Sequence, residues 1–448
     1  MKHNSFSFKE LKTILNIKTF YHLDELETYD TFVITKAYCD ILDEEHTLYF
    51  PITILEEDSG GGWYPKSSDT RQNINYYIKE HPGYTYVIDE ETYDLVEDKS
   101  AKVIIVDSIM NSINQLYHYI MEHRQVKSIL VTGSVGKTSA VGLIEAAIKD
   151  HVLRIYAKRI TPVILKNFII NYLTNDISYM VLEAGLFHKH HVAYFSQELK
   201  PYISVLLNIL PEHMGIDSIH SVKDIVEGKM EIFRYATYAL VNYQDEELKK
   251  LAFHDGICEY EKHQIDTKVK KVFDISNLHD GICLYVHTNL SKIQYQSAFV
   301  VASILSIPDD IIMERLNTST PVENRVCKQK IFGHDIIFDG DVSGVARFRL
   351  FTDHFYPKAV LVLRHLTTGG EEEEDYSQFP LYFERFSHVY IFKDIPQAKV
   401  FSHDNVIWVD NHDFIKELDS DVAIFYHYGS YYRKYKEFRL EYLEEEII

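Results

Sequence analysis

Residues 128–150 read SILVTGSVGKTSAVGLIEAAIKD. Ser128 to Thr132 form an apolar run of strand length, and Gly133-Ser134-Val135-Gly136 form a turn. Lys137-Thr138-Ser139 then open a helix with Val141, Ile144, Ala147 and Ile148 at helical spacing. A strand, a glycine turn and a helix start together make a phosphate cradle in α/β proteins. Backbone N–H groups and the positive helix end face the anion, and a lysine adds a full charge. A hydroxyl from Thr138 or Ser139 suits Mg²⁺. The common phosphate loop, G-x-x-x-x-G-K-S/T, would need glycine at position 131. This chain has Val131 there and Gly133 two residues later, so its loop is the shorter G-x-x-G-K-T-S.

The 448 residues carry 46% hydrophobic and 25% charged side chains, an ordinary balance for a globular protein of two to four domains. The start, MKHNSFSFKELKT, lacks the apolar segment of a signal peptide. No apolar run reaches the roughly 20 residues of a spanning helix. A cytoplasmic protein with no membrane insertion is expected. The net charge of −21 disfavours nucleic acid as a partner, although a local positive pocket can still take a nucleotide. Cys39, Cys258, Cys283 and Cys327 fit no zinc or redox spacing and are expected to be reduced thiols. The pentapeptide HDGIC occurs at 254–258 and again at 279–283, and reads as an aspartate–glycine turn before a strand.

Along residues 1–122, a helix is expected over Leu11–Leu23 and strands over Thr31–Thr35 and Leu48–Ile54. Asp58–Trp63 (DSGGGW) reads as a flexible loop. Helix, strand, strand and helix follow at Asn73–Glu80, Tyr84–Asp89, Lys102–Asp107 and Ser108–Arg124. Residues 123–318 alternate strands and helices, which implies a mainly parallel sheet. Strands are expected at Val152–Tyr156, Tyr179–Glu183, Ile203–Ile209 and Tyr238–Asn242, and helices at 163–174, 221–235 and Gln296–Leu305. The stretch 265–288 reads as hairpin strands. Residues 319–448 form another α/β unit, with strands at Ala359–Leu363, Val389–Phe392, Val406–Val409 and Val422–Tyr426. The acidic run at 369–375 reads as a solvated loop. The expected architecture is therefore α/β in three domains. A central P-loop domain with a parallel sheet is flanked by a small α/β N-terminal domain and a Rossmann-like α/β C-terminal domain.

Partners for a bound phosphate belong at the C-terminal ends of sheet strands. Glu183 ends the strand YMVLE, His213 follows ISVLLNIL, Lys229 lies in EGKMEIF, and Asn242 and Asp245 follow TYALVN. Taken singly, each has a plainer reading. Glu183 is an ordinary charge at a strand end, His213 a surface histidine and Lys229 a solvated helical lysine. His188, His190 and His191, in GLFHKHHVAYF, lack a cysteine or carboxylate that would complete a zinc set, so exposure or a place near the first substrate is the expectation.

In order and spacing, GSVGKTS, VLEAG, NILPEHMG, EGKMEIF and LVNYQDE resemble the central ATPase domain of the Mur ligases. The corresponding strings of that family are close to TGTNGKT, E, a DH or AH pair, K-x-E-I and N-x-D-D. QSAFVVASILSIPDDIIMERL, VENRV, KIFGHDIIFDGD and DSDVAIFYHYGS extend the resemblance to about residue 435. The first 120 residues are similar in order to the N-terminal domain of the branch that adds D-alanyl-D-alanine to a UDP-linked tripeptide. Mur ligases are ATP-dependent, ADP-forming enzymes of cell-wall peptide synthesis. The resemblance implies that ATP phosphorylates a carboxylate and that an amine then displaces phosphate from the acyl phosphate. It further implies a small-molecule or nucleotide-linked carboxylate and an amino acid, dipeptide or other amine as substrates. Carried over residue by residue, it places Gly133, Ser134, Val135, Gly136, Lys137, Thr138 and Ser139 around the phosphates. Thr138 and Glu183 fall on one Mg²⁺ and His213 on a second, and Lys229 corresponds to a lysine that CO₂ converts to a carbamate, an anionic oxygen ligand suited to Mg²⁺. Asn242 falls at adenine, Arg325 at the phosphates and Asp339 at the ribose.

This chain departs from the pattern at Gly340, where a second aspartate is usual, and at Tyr428, where K-G-S has lysine. The segment after Gly340 lacks Y-x-x-N-P, and Ser68-Asp69-Thr70-Arg71 is a partial echo of D-S-R. The amine substrate and the carrier therefore stay open. So does an alternative reading, a nucleotide-binding regulatory or assembly module that lacks ligase activity.

Overall fold

The computed structural model describes residues 2–35, 40–58, 61–63, 69–157, 160–211, 218–320, 327–339, 348, 352, 356, 358–364, 376–395, 398–399 and 401–427. His213, Arg325, Gly340, Tyr428, Ser68, the acidic run at 369–375 and two residues of the DSGGGW loop lie outside them. The chain separates into two compact units, residues 1–129 with 150–191, and residues 130–149 with 192–448.

The first unit opens with β1 (Phe6–Ser7) and α1 (Phe8–Ile14). Ser7 and Glu10 form a reciprocal capping box at the start of α1. A five-stranded sheet comprises β2 (Ile17–Tyr21), β4 (Thr31–Ile34), β5 (Thr47–Phe50), β6 (Thr85–Ile88) and β7 (Val103–Val106) in the order β2-β7-β6-β5-β4. β3 (Thr28–Tyr29) pairs with β1. Only β2 runs antiparallel to its neighbour, and the other four strands are parallel. β4 to β7 are buried at every position, as a parallel sheet requires. α2 (Ile54–Asp58), α3 (Ile74–Glu80), α4 (Glu90–Leu95) and α5 (Ile109–His123) complete the N-terminal part.

β8 (Lys127–Thr132) leads from this unit into the second, where α6 (Lys137–Ile148) follows. The chain then returns for β9 (Val152–Ile155), α7 (Pro162–Tyr172) and β10 (Tyr179–Glu183), with β9 and β10 parallel. α8 (His191–Leu199) begins at the next crossing.

In the second unit, β11 (Ile203–Leu206), α9 (Val222–Met230) and β12 (Tyr238–Val241) precede an antiparallel trio, β13 (Ala252–His254), β14 (Ile257–Tyr260) and β15 (His263–Asp266). β16 (Lys271–Asp274) pairs in parallel with β12, as does β11. α10 (Asn289–Ile304) and α11 (Asp309–Asn317) pack against α6. A further sheet has the order β17-β18-β22-β19-β20-β21, from β17 (Cys327–Ile331), β18 (His334–Asp339), β19 (Ala359–Leu363), β20 (His388–Phe392), β21 (Val406–Val409) and β22 (Ala423–His427). All its pairs are parallel except the β17–β18 hairpin. The α/β architecture with several parallel sheets is as expected.

Local expectations fail in several places. The helix expected over Leu11–Leu23 stops at Ile14, where Leu15 turns extended, and β2 follows because its edge pairing with β7 outweighs a loose helical pattern. The strand expected over Leu48–Ile54 ends at Phe50, before Pro51, which has no N–H for a ladder. The hairpin expected in 265–288 lies earlier, at 252–266, and β16 joins the parallel strands instead. α10 starts seven residues before Gln296, where Thr288 caps it by accepting from Ser291 N. Of the two HDGIC turns, the first joins β13 to β14, with positive φ at Asp255 and Gly256, but no strand follows the second.

Candidate functional site: the phosphate loop and its supports

Val131 is fully buried inside β8, so the loop starts at Gly133. Both loop glycines answer a steric demand. Gly133 has φ +155°, and a Cβ there would lie 3.0 Å from Leu207 Cβ. Gly136 caps α6 at φ +84°, and a Cβ there would lie 2.5 Å from Gln294 Nε2 and 2.8 Å from Leu290 Cδ1. The loop thus meets the N-terminal turn of α6 in a backbone shape that side chains resist, which is how an anion cradle is built. Lys137 Nζ folds back over the loop and donates to Gly133 O at 2.9 Å and Ser134 O at 2.8 Å. Thr138 is buried one residue further on, and Ser139 is half-buried.

The chain after β11 runs beside the loop. Leu207 N donates to Thr132 O, and Ser134 N donates to Asn208 O. The Asn208 side chain bonds Val135 in both directions, Val135 N to Oδ1 and Nδ2 to Val135 O, each at 3.0 Å. Ser134 Oγ donates to Leu210 O and accepts from Leu210 N. It also accepts from Lys229 Nζ at 3.1 Å.

Lys229 is 2% exposed, which overturns the solvated-lysine reading. It sits four residues after the buried Ile225 in α9, so both lie on one face of the helix, and that face turns inward. Asn242 is buried. Its Nδ2 donates to Leu207 O, and its Oδ1 accepts from Gln244 N and Ser276 Oγ. The Asp245 carboxylate accepts from Ile209, Glu247 and Leu248 N. Burial pushes its carboxyl up from the ordinary value, while these backbone donors pull it down. Both residues therefore tie the ends of β11 and β12 together. Asp339 ends β18, its backbone in register with His427.

In the first unit, Glu183 is the last residue of β10 and half-buried. The rings of His188 and His190 lie 3.7 Å apart, and burial together with His188 lowers the His190 basicity. His191 is buried, stacked 3.8 Å from Trp63, with Nε2 2.8 Å from Gly61 O. Part of the DSGGGW loop is therefore anchored, and Asp58 accepts from Trp63 N. Among the described residues no three or more His, Cys, Asp or Glu side chains are grouped to hold a metal ion.

Asn208 and Gln294, whose Nε2 donates to Gly136 O at 3.2 Å, were not singled out in the sequence. The available signal for Asn208 was an asparagine two residues after a strand of buried residues.

The family model described as Mur ligase middle domain matches residues 131–301. A UDP-N-acetylmuramoyl-tripeptide–D-alanyl-D-alanine ligase of Rickettsia prowazekii is 30% identical over 141 residues, 31% of this chain and 30% of that relative's length. A MurF structure from Acinetobacter baumannii superposes with TM-score 0.68 at 13% identity, covering 98% of this chain and 99% of that one. A MurF ligase from Thermotoga maritima in complex with ADP gives TM-score 0.62 at 16% identity, covering 89% and 94%. The two structural likenesses are likenesses of fold. The middle-domain match and the sequence relative show that residues 131–301 are similar to the middle domain of the Mur ligases, while the chain spans under a third of that relative's length.

Proposed function

We propose that this protein is an ATP-dependent, ADP-forming ligase that joins an amine to a carboxylate through an acyl phosphate. The observation that carries the reading is Lys229, a lysine 2% exposed whose Nζ reaches the phosphate loop at Ser134. A module that only binds nucleotide has no need of a buried amine there. The domain plan we adopt is 1–122 for the carboxylate substrate, 123–318 for ATP and 319–448 for the amine. The carboxylate is a small molecule or a nucleotide-linked precursor of a cell wall or surface polymer, and the amine is an amino acid, dipeptide or similar compound. No helix among the described residues is long and apolar enough to cross a membrane. In this reading the reaction draws on ATP and runs in the cytoplasm.

In this reading a carboxylate oxygen attacks the γ-phosphorus and ADP leaves. The amine nitrogen then attacks the acyl carbon, phosphate leaves, and the amine gives up a proton. The loop N–H groups and Lys137 stabilise charge on the transferring oxygens. The site chemistry suits Mg²⁺, since Thr138 brings a hydroxyl to the helix start and Lys229, as a carbamate, would bring anionic oxygens. Bound there, the cation would neutralise phosphate charge. The resemblance assigns Glu183 and His213 to the same cation chemistry, with Asn242, Arg325 and Asp339 toward the nucleoside and phosphates, and single substitutions test each assignment.

The deciding experiment measures ADP release by the full chain with ATP, Mg²⁺, bicarbonate and panels of UDP-muramoyl peptides, amino acids and dipeptides. The expected result is ADP release only when carboxylate and amine are both present, and its loss in Lys229→Ala. Nucleotide affinity and biological function both intact in Lys229→Ala would overturn the reading in favour of a binding module.

A further inference from the structure

Nothing in the resemblance explains why a side chain 73 positions away should grip the middle of the phosphate loop. Asn208 is 4% exposed and follows β11 by two residues. Its amide and the Val135 main chain form a closed pair, with N–H to Oδ1 and Nδ2–H to O, both at 3.0 Å. The pairing fixes the amide orientation, because the reversed amide would set donor against donor and acceptor against acceptor. Val135 is itself 6% exposed, so water offers little replacement for either bond.

The consequence is electrostatic. A loop that holds phosphate must turn N–H groups toward the anion and keep carbonyls away. The Val135 carbonyl is the last before the helix cap Gly136, so a rotation of that peptide would aim a negative oxygen into the cradle. We propose that Asn208 is the positioning residue of the phosphate loop, holding the Val135 carbonyl away from the bound phosphates. Asn208 touches no reacting atom in this scheme. It acts through the Val135 peptide, and the role rests on the nucleotide reading above.

The test uses the full chain and compares wild type with Asn208→Ala and Asn208→Asp. Aspartate keeps an acceptor for Val135 N–H but cannot donate to Val135 O, and its added charge itself opposes phosphate, so alanine carries the affinity comparison and aspartate the exchange comparison. ATP affinity is measured by titration calorimetry with Mg²⁺, and hydrogen exchange is followed in the peptide spanning 130–140. Asn208→Ala is expected to weaken ATP binding by about tenfold, the size of effect expected from one lost hydrogen bond. Loop exchange is expected to accelerate in Asn208→Ala and much less in Asn208→Asp. Affinity within about twofold of wild type in Asn208→Ala overturns the proposal, even if the melting temperature falls, because a purely structural asparagine would behave that way. If wild type itself binds no ATP, the nucleotide reading fails and the proposal falls with it, an outcome distinct from unchanged affinity in Asn208→Ala.

Discussion

Lys229 Nζ donates to Ser134 Oγ at 3.1 Å, and so joins the end of α9 to the phosphate loop. The Ser134 hydroxyl also donates to Leu210 O and accepts from Leu210 N. One proton and two lone pairs are thus all engaged. Ser134→Ala would leave a lysine and a backbone N–H without this acceptor, which is expected to cost about 1–3 kcal/mol. Ser134→Thr keeps the hydroxyl and should recover most of that loss. Urea unfolding of the three proteins checks the order. If alanine matches wild type, the hydroxyl is not the junction described here.

Lys229→Met keeps the length and packing of the side chain and removes its amine. Unfolding stability should change little, since an apolar chain suits a site 2% exposed. ADP release with both substrates should fall by about 10²–10³, the scale for losing one fixed electrostatic group. Steady-state kinetics alongside thermal melting separate the two effects.

At Gly136 an alanine would face φ +84° and a Cβ contact of 2.5 Å with Gln294 Nε2. The backbone term alone costs about 1–2 kcal/mol. Gln294 can swing aside, but its bond to Gly136 O is then lost. Gly136→Ala should lower the melting temperature and weaken ATP binding, and pairing it with Gln294→Ala should return part of the stability. Absence of any recovery would show that the steric contact is not the cause.

Asn171 performs in the first unit the service that Asn208 performs in the second. It is fully buried, its Oδ1 accepts from Phe32 N at 2.9 Å, and its Nδ2 donates to Phe32 O and Asn167 O at 2.8 Å. This ties α7 to β4. Asn171→Ala removes one bond from Phe32 N and one from Phe32 O, whose carbonyl keeps Asn167 Nδ2, and should cost about 1–3 kcal/mol. Peptide-resolved hydrogen exchange should show the loosening at 31–34 and 162–172.

Burial, with the negative charge of Glu231 as a lesser cause, pushes the Cys258 thiol up to about 12. Cys283 is exposed. A raised thiol pKa keeps the neutral form as pH rises, so Cys258 should stay unlabelled by a thiolate-selective reagent from pH 7 to 9, while the exposed Cys283 is labelled. Mass spectrometry of labelled peptides checks this. Fast labelling at Cys258 in the native protein would contradict its burial.

How far the sequence reached depended on whether a feature was local. The limits of the phosphate loop were legible in the sequence, because a left-handed backbone admits glycine and a helix shows its period over a few turns. Apolar strands such as Ala359–Leu363 and Val406–Val409 were legible for the same reason, and α4 was not, being a single capped turn or two. The segments 11–23 and 265–288 were misread because the choice between helix and edge strand, or between hairpin and parallel strand, belongs to the partner. β7 for β2 and β12 for β16 lie far away along the chain.

The site divides in the same way. The order of short motifs along the chain, through the resemblance it carries, drew Lys137, Thr138 and Lys229 into one expectation before any geometry was known. Whether Lys229 is solvated or buried, and which peptide Asn208 grips, was decided by tertiary structure. A side chain's solvation and its hydrogen-bond partners depend on elements that only folding brings together.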